Sequence, residues 1–184
     1  MKKKILIIIG VMFVVLGICI AIILNNTEET ITNVSEYIPE IEISDDELRK
    51  TIITLYFRNG NTNELSTEAR LIDSKELLRD TYNVLIKMLI NGPKDNNLEC
   101  LIPKDTKIIG TKLKGDCLVV DFSKEFLTVD KSDSVKVSNL IYSIVNTLTE
   151  LKEIAKVKFL IEGEEVDAFN EIGIDFKSEF VRND

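Results

Sequence analysis

The apolar and polar positions divide this chain into three parts with different patterns. Residues 5–24 are an unbroken apolar run without charge or proline, and residues 25–50 are polar with no sustained period. From residue 51 onward, short stretches with apolar residues at every second position alternate with stretches at helical spacing. This pattern predicts one folded domain, residues 51–184, behind an apolar segment and a linker.

The apolar run, residues 5–24, predicts a single transmembrane helix. At about 1.5 Å per residue it would be about 30 Å long, the thickness of the hydrocarbon core of a bilayer. A cleaved secretory signal has a shorter apolar core and a small-residue cleavage site, and a lipoprotein signal needs a small residue before its cysteine, where Cys19 follows Ile18. We therefore expect an uncleaved anchor in the cell membrane, with cleavage and lipidation at Cys19 as the alternatives. The basic flank, residues 1–4, predicts a cytoplasmic N terminus and an extracytoplasmic domain.

Residues 25–50 are predicted to form an extracytoplasmic linker that holds the domain away from the bilayer. They are rich in Asn, Thr, Glu and Ser, with Pro39 in the middle. The segment Ser44-Asp45-Asp46-Glu47 has the form of a helix capping box. Its carboxylates lack the spacing of a calcium-binding loop, so we interpret them as a solvated surface.

The first half of the domain predicts two strands and a helix. Residues 51–57 alternate as a strand does, Asn59-Gly60-Asn61 supplies a turn, and residues 65–72 form a second, more polar strand. A helix follows, capped by Asp73 or Ser74 and ended by Gly92-Pro93, and a connector then runs to Pro103. The apolar stripe of this helix consists of Leu78, Tyr82, Leu85 and Leu89.

The second half predicts a hairpin, a helix and a last strand. Residues 107–113 and 117–122 flank the turn Lys114-Gly115-Asp116, a helix covers residues 134–151, and a strand covers residues 156–161. The tail from Asp167 to Asp184 is weakly patterned and predicts one more strand or a loop packed on the domain. The stripe of the second helix consists of Val137, Ile141, Ile144, Leu148 and Leu151.

The order β-β-α-β-β-α-β predicts an α+β fold. Two amphipathic helices each have one apolar stripe to bury, so the simplest arrangement is two layers, with one mixed or antiparallel sheet and both helices on one of its faces. The sequence lacks the glycine-rich strand-to-helix turn of dinucleotide-binding and P-loop folds.

The charge of the chain argues against a nucleic-acid partner. All 31 acidic residues follow Leu24, and 20 of the 23 basic residues do so, which leaves a net charge of -11 beyond the anchor. Binding to phosphates requires a basic surface. An acidic balance instead favours a basic partner, or serves solubility.

The cysteines and the absence of histidine limit the chemistry of the domain. With no histidine and no Cys-x-x-Cys motif, a zinc site is not expected. Cys19 lies in the apolar run, and Cys100 and Cys117 either form a disulfide or serve as two small apolar side chains. We expect no metal and no cofactor.

Two groups of polar residues are candidates for catalysis, and both have a simpler interpretation. Asp121 precedes Ser123, but a serine nucleophile needs a base within hydrogen-bond reach, so turn formation is favoured. Glu162, Glu164 and Glu165 are possible acids for glycan cleavage, which needs two carboxylates facing each other across a sugar. These glutamates belong to one turn, so we expect solvated side chains and no catalytic residue.

Several short segments between residue 51 and about residue 175 together resemble the GerMN domain family of sporulation and spore germination proteins. No single segment is specific, and the resemblance depends on their order and spacing. The motif residues, which we interpret as structural, are Tyr56, Phe57, Arg70, Gly92, Pro93, Pro103, Asp121, Phe122, Thr147, Thr149, Glu150 and Gly163.

The resemblance implies a function without catalysis. GerMN domains are extracytoplasmic, usually behind a lipoprotein signal or a membrane anchor, and serve as assembly factors in envelope complexes of sporulation or germination. The implied partners are the membrane, other envelope proteins and further copies of the chain. The alternative is an envelope protein that acts on or binds peptidoglycan. A wall hydrolase needs a cleft with two facing acids or a metal, whereas an interaction module exposes a surface such as a free sheet edge.

Overall fold

A computed structural model describes residues 49–183 of the chain. The predicted basic flank, residues 1–4, the predicted anchor, residues 5–24, and nearly all of the linker lie outside the described residues. Between residues 49 and 183, no helix combines the length and the apolar character needed to cross a bilayer.

The first sheet has three strands in the order β2-β1-β3. Strand β1, Lys50–Asn59, pairs antiparallel with β2, Leu65–Asp73, along its whole length. The predicted turn closes this hairpin, and the backbone N–H of Asn59 donates to the carbonyl of Glu64 over 2.8 Å. Strand β3, Leu98–Glu99, pairs with the last two residues of β1. The predicted connector before Pro103 therefore contains a short strand.

The predicted first helix is two helices. Helix α1, Ser74–Arg79, is capped by Asp73, whose carboxylate accepts from the backbone N–H of Lys75 over 2.8 Å. Helix α2, Thr81–Asn91, begins after Asp80, which has the non-helical dihedral angles φ -158° and ψ 61°. The prediction of one continuous helix is wrong at this residue, because the apolar stripe continues across a break in the backbone.

The second sheet has four strands in the order β4-β5-β6-β7. Strand β4, Ile108–Lys114, and strand β5, Cys117–Phe122, form the predicted antiparallel hairpin. Strand β6, Lys156–Ile161, lies parallel to β5, and β7, Phe180–Val181, pairs antiparallel with β6. Helix α3, Ser134–Leu148, connects β5 to β6. A parallel pair requires such a long crossover connection.

The prediction of one sheet with both helices on one face is wrong, because the described strands form two separate sheets. Helix α3 packs against both β1 and β6. It is buried beyond its apolar stripe, since Ser143, Asn146 and Thr147 are also buried. Each of these polar side chains has a hydrogen-bond partner inside the domain, which makes the burial tolerable. The coarser prediction of a mixed α+β fold is confirmed.

Phenylalanine side chains fill the core of the second sheet. The rings of Phe122 and Phe126 stack with centroids 4.5 Å apart. Phe126 comes from a 3-10 helix, Lys124–Thr128, where the sequence predicted a turn. The tail returns to the domain, as expected, with a short strand and three aromatic side chains. The cluster consists of Phe122, Phe126, Phe159, Phe169, Phe176 and Phe180.

Cys100 and Cys117 are both free, so the disulfide alternative is excluded. The Cys100 thiol points at the C-terminal end of α2, with its Sγ 3.2 Å from the carbonyl oxygen of Leu89. Burial raises the pKa of both thiols. They therefore behave as small, weakly polar side chains of the interior.

Candidate interaction surface

Arg70 joins the first sheet to the loop after α2. Its guanidinium Nη2 donates to the carbonyl of Gly92 over 2.6 Å, its Nε donates to the carboxylate of Glu68, and its plane lies 5.6 Å from the ring centroid of Phe57. The other oxygen of Glu68 accepts from the backbone N–H groups of Lys94 and Asp95 over 2.8 and 3.0 Å. Arg70 is only 8% exposed. The motif residues Phe57, Arg70 and Gly92 thus belong to one structural cluster that fixes the loop in which Pro93 follows Gly92.

The carboxylate of Glu68 is the anion of this cluster. Burial by itself raises its pKa, but the hydrogen bonds from the N–H of Asp95, from Arg70 and from the N–H of Lys94 together hold the pKa below its ordinary value. Glu68 therefore stays ionised at neutral pH, paired with Arg70.

A second cluster ties the C-terminal tail to β1 and to the end of α3. The hydroxyl of Tyr56 donates to Glu150 over 2.8 Å, and Arg182 donates to the same carboxylate oxygen over 2.7 Å. The guanidinium of Arg182 also lies 5.3 Å from the ring centroid of Tyr56. The backbone N–H of Tyr56 donates to the hydroxyl of Thr147 over 3.0 Å, and Thr149 bonds back to carbonyls of α3. These motif residues therefore make contacts within the domain.

The remaining motif residues shape two turns and the core. A carboxylate oxygen of Asp121 accepts from the backbone N–H of Gly163 over 3.0 Å, and Gly163 has a φ of 85°, which favours glycine. Phe122 is fully buried in the aromatic cluster. The carbonyl of Pro103 accepts from the N–H of Thr106 over 3.0 Å in a turn.

The polar groups considered for catalysis make structural contacts. The hydroxyl of Ser123 accepts from the backbone N–H of Lys107 over 3.0 Å, and Asp121 holds the turn at Gly163. Glu165 forms an ion pair with Lys158 on the surface. Within the described part of the chain, no three His, Cys, Asp or Glu side chains come together as metal ligands.

One edge of β1 is open along the first half of the strand. Among the described residues, β3 covers this edge only at Arg58 and Asn59. The N–H of Gly60 donates to Asn97 on this side, and the N–H of Tyr56 points the same way, toward Thr147. Backbone groups of a strand alternate between its two edges, so those of the even-numbered residues 52 and 54 also face the open edge.

A groove of about 240 Å³ runs along this open edge. Residues 51–54 of β1 line it, together with side chains from α1, from α2 and from the segment around the C-terminal end of α3. Ile52, beside the groove, is 68% exposed and lies directly opposite Leu71 of β2, which is 60% exposed. We name this region, the open edge with its groove and the Ile52–Leu71 pair, the β1 edge surface. The wall side chains are Leu77, Leu85, Thr147, Glu150 and Leu151.

The outer edge of β4 in the second sheet differs from the β1 edge surface. Strand β4 carries Lys112 and Lys114, and its register shifts between Ile108 and Gly110. Lysines and bulges are devices that discourage the addition of a further strand. The open part of β1, residues 51–54, has no charged side chain.

Sequence reasoning did not select three residues of these sites. Glu68 and Ile52 were predicted only as members of their strands, and Arg182 lies in the weakly patterned tail. Arg182 meets Glu150 across 32 residues of sequence, so no local period signals the contact. The alternation of β1 separates the two faces of the strand, but it does not show that the face carrying Ile52 is the exposed one.

A family model described as Germane: Sporulation and spore germination matches residues 54–167. The chain belongs to this family. The resemblance to GerMN domains is thereby confirmed, and a role related to sporulation follows for this Germane domain. Among curated proteins, none matches the chain.

Solved structures support the Germane fold. The chain is similar to the tandem GerMN domains of the sporulation protein GerM from Bacillus subtilis, with a TM-score of 0.61 and 24% identity over 78% of this chain and 50% of that one. The first GerMN domain of the same protein gives 0.59 and 24%, over 73% and 99%. A candidate lipoprotein from Clostridium perfringens gives 0.50 and 27%, over 76% and 92%. The chain thus spans half of the tandem structure.

Proposed function

We propose that this chain is a membrane-anchored, extracytoplasmic interaction module that helps to assemble an envelope complex of sporulation or spore germination and has no catalytic activity of its own. Membership of the Germane family supports the process, and the apolar run of residues 5–24 supports the anchor. One observation supports the proposal best. The motif residues bond to one another inside the domain, whereas the β1 edge surface lies open.

The module is proposed to act through other envelope proteins, with self-association as a second mode of assembly. The proposed lack of catalytic activity is supported by the contacts of Asp121, Ser123 and Glu165, which bond within the domain or at its surface. A strand with unpaired backbone groups is a common recognition element for extended segments of other proteins.

Deletion of the gene in the producing organism tests the process. We expect fewer heat-resistant spores, or spores that germinate slowly, with vegetative growth unchanged. Complementation by the intact gene is the control. Normal sporulation and germination in the deletion strain would overturn the proposed role.

Three further measurements test the anchor and the lack of catalysis. Protease added to intact cells should degrade the domain and spare a cytoplasmic marker protein, and mass spectrometry should find residues 5–24 in the mature product. Purified full-length protein in detergent should leave the turbidity of cell-wall sacculi unchanged. A fall in turbidity would instead identify a peptidoglycan enzyme.

A further inference from the structure

We propose that a pocket between helix α2 and the start of β4 binds a small organic carboxylate, with the anionic group beside Lys87 and Lys107 and the apolar chain along Ile90 and Ile108. The pocket has a volume of about 350 Å³, at the lower end of the range for small-molecule sites. This binding function is separate from the proposed assembly role and does not depend on it. We name the region the α2–β4 pocket, and its other lining residues are Asn91 and Thr106.

Hydrogen bonds hold the backbone on the β4 side of the α2–β4 pocket. The N–H of Thr106 donates to the carbonyl of Pro103 over 3.0 Å. The N–H of Lys107 donates to the hydroxyl of Ser123 over 3.0 Å, and the N–H of Ser123 donates back to the carbonyl of Lys107 over 2.9 Å. Helix α2 packs against β4 on the opposite side. The pocket is therefore formed before a ligand arrives, which lowers the entropy cost of binding.

The hydroxyl of Thr106 is a buried polar group without a partner. Thr106 is 6% exposed, and its Oγ1 has no hydrogen bond. Among the described residues, Arg58 has the other such atom, but two further nitrogens of Arg58 bond to carbonyl or carboxylate oxygens. An unpaired buried hydroxyl is costly in free energy. Because Thr106 lines the pocket, rotation of its side chain between staggered positions allows a ligand oxygen to become the missing partner.

The charge beside the α2–β4 pocket selects an anion. Lys87 is the only charged residue of α2, and Lys107 faces it from the start of β4. Within residues 49–183, neither lysine forms an ion pair with a carboxylate. Glu125 does interact electrostatically with Lys107, but the largest influence on Glu125 is its hydrogen bond with Ser123. An anionic oxygen can therefore take charge-assisted hydrogen bonds from both lysines.

The C-terminal end of α2 opposes an anion, and this fixes the orientation of the ligand. The helix ends at Asn91, where its carbonyls carry a partial negative charge of about half an elementary charge. The carbonyl of Leu89 is already bonded to the N–H of Gly92 and contacted by the thiol of Cys100. Two full positive charges exceed the partial charge that remains. The anionic group therefore belongs beside the lysines and away from the last turn.

The apolar walls of the α2–β4 pocket select an organic anion over an inorganic one. Ile90 and Ile108 are half-buried, and both pack against the core while they line the pocket. A short hydrocarbon chain would remove their exposed area from water, which favours binding. Asn91 adds an amide donor at the rim. A small carboxylic acid with a short apolar chain satisfies the lysines, the hydroxyl and the two isoleucines together.

Protection of the two lysines from acetylation measures binding. Full-length protein in a nonionic detergent is treated briefly with the N-hydroxysuccinimide ester of acetic acid, at increasing hexanoate and constant ionic strength. Mass spectrometry gives the rate at each lysine. We expect Lys87 and Lys107 to react more slowly, with half of the protection reached at about 1 mM hexanoate. Lys112, on β4 but outside the pocket, should react at an unchanged rate.

Matched ligands test the two halves of the assignment. Hexanamide keeps the chain and lacks the charge, whereas acetate and inorganic phosphate keep the charge and lack the chain. Each should protect the lysines at least about tenfold more weakly than hexanoate does. Equal protection by hexanamide would overturn the anionic site. Equal protection by acetate or phosphate would overturn the assignment of an organic ligand.

Thr106→Val separates a ligand-binding hydroxyl from a structural one. The variant keeps the shape of the side chain and removes the unpartnered group, so the free protein should unfold about 2–5 °C higher. Its affinity for hexanoate should fall about tenfold, because the ligand loses one hydrogen bond. Thr106→Ser keeps the hydroxyl and should retain the affinity. A lower unfolding temperature for Thr106→Val, or an unchanged affinity, would overturn the role of this hydroxyl.

Lysine variants keep the inference testable if Thr106→Val fails to fold. Lys107→Gln should weaken hexanoate binding about tenfold, read from the protection of Lys87, and Lys87→Gln should do the same, read from Lys107. Lys112→Gln is the control and should bind as the unmodified protein does. Equal affinity of all three variants, or no protection in the unmodified protein, would overturn the inference. Because binding is measured on purified protein, these outcomes are independent of the deletion phenotype that tests the assembly role.

Discussion

Arg70 contacts three separate parts of the domain, and no local pattern in its strand indicates this. One guanidinium contacts the ring of Phe57, the carboxylate of Glu68 and the carbonyl of Gly92, so it joins β1, β2 and the loop after α2. Gly92 has a φ of 86°, and the Cβ of any other residue there would lie 3.3 Å from the Cβ of Cys100. Glycine therefore suits both the backbone and the close approach.

Replacing Arg70 by methionine should destabilise the domain strongly. Arg70→Met leaves the part-buried Glu68 carboxylate without its cation and removes the bond to Gly92, and loss of one partner of a fully buried pair costs about 3–5 kcal/mol, which is the upper end of the expected effect. The free energy of unfolding from urea titration measures this. The control is Lys156→Met, which breaks the exposed pair with Glu179 and should change stability little. Similar losses in both variants would contradict the structural role of Arg70.

The Glu68 carboxylate predicts a dependence of stability on pH. Its pKa is lower in the folded domain than the ordinary value near about 4.3, so its contribution is complete above that value and is lost as the pH falls through the lowered pKa. Glu68→Gln removes this contribution. We expect the difference in unfolding free energy between the two proteins to be constant above about pH 5 and to shrink toward about pH 3. A difference that does not change with pH would refute the lowered pKa.

At the scale of elements, Thr147 positions α3 against the open edge of β1. Its hydroxyl accepts the backbone N–H of Tyr56, and the side chain is fully buried. The contact ends the open part of the edge, since the groove lies beside residues 51–54. It also links the first sheet to the helix that packs on β6 of the second sheet. A single hydroxyl therefore helps to fix how the two sheets are joined.

Thr147→Val keeps the shape of the side chain and removes the acceptor. The N–H of Tyr56 then loses its partner, which should lower the free energy of unfolding by about 1–3 kcal/mol and increase the hydrogen exchange rate of the Tyr56 amide. The matched change in the same helix is Ser143→Ala, because Ser143 only bonds back to the carbonyl of Leu140. That variant should lose less than about 1 kcal/mol. An unchanged exchange rate at Tyr56 would show that the bond is unimportant.

Helices and strands with a clear pattern in neighbouring residues could be predicted from the sequence. The pairing of the strands into sheets could not. Strand β6 has the predicted bounds, 156–161, because alternation and the turn after it are both written in neighbouring residues. The break at Asp80 was missed because apolar spacing continues across it, and β3 is too short, at two residues, to have a period. Two sheets instead of one follow from contacts between distant residues, such as α3 with both β1 and β6.

The same limit applies to the β1 edge surface. The sequence marked residues 51–57 as a strand, and the resemblance pointed to Tyr56, Thr147 and Glu150, which border the groove. The sequence does not show which edge of the strand lies open, because this depends on where β3 ends and where α3 crosses β1. Contacts between residues 41 and 91 positions apart fix these two points, Arg58 with Glu99 and Tyr56 with Thr147.

At the scale of the whole molecule, the charge is uneven along the chain. Residues 49–183 contain 20 basic and 22 acidic residues, a net charge of -2, whereas residues 25–48 have a net charge of -8. The whole part beyond residue 24 has a net charge of -11. The folded domain is close to neutral, so most of the acidity beyond residue 24 belongs to the predicted linker.

The tail closes the domain through aromatic contacts, and this makes the last prediction. Phe176 is fully buried, and its ring lies 5.2 Å from that of Phe159 and 5.4 Å from that of Phe169. Removal of a buried phenylalanine side chain costs about 3–5 kcal/mol, so Phe176→Ala should lower the stability of the whole domain in one cooperative transition. Val181→Ala, at a side chain that is 57% exposed in the same tail, should change it by less than about 0.5 kcal/mol.

Thermal unfolding followed by near-ultraviolet and far-ultraviolet circular dichroism measures this, because tyrosine and phenylalanine signals report packing and the backbone signal reports the sheets and helices. Coincident transitions in Phe176→Ala would mean that the tail and both sheets unfold together. If the tail unfolded first while the sheets kept their stability, the core would be stable without the rings of Phe169, Phe176 and Phe180. The domain would then end before the tail, and the bond between Arg182 and Glu150 would be an accessory to the β1 edge surface.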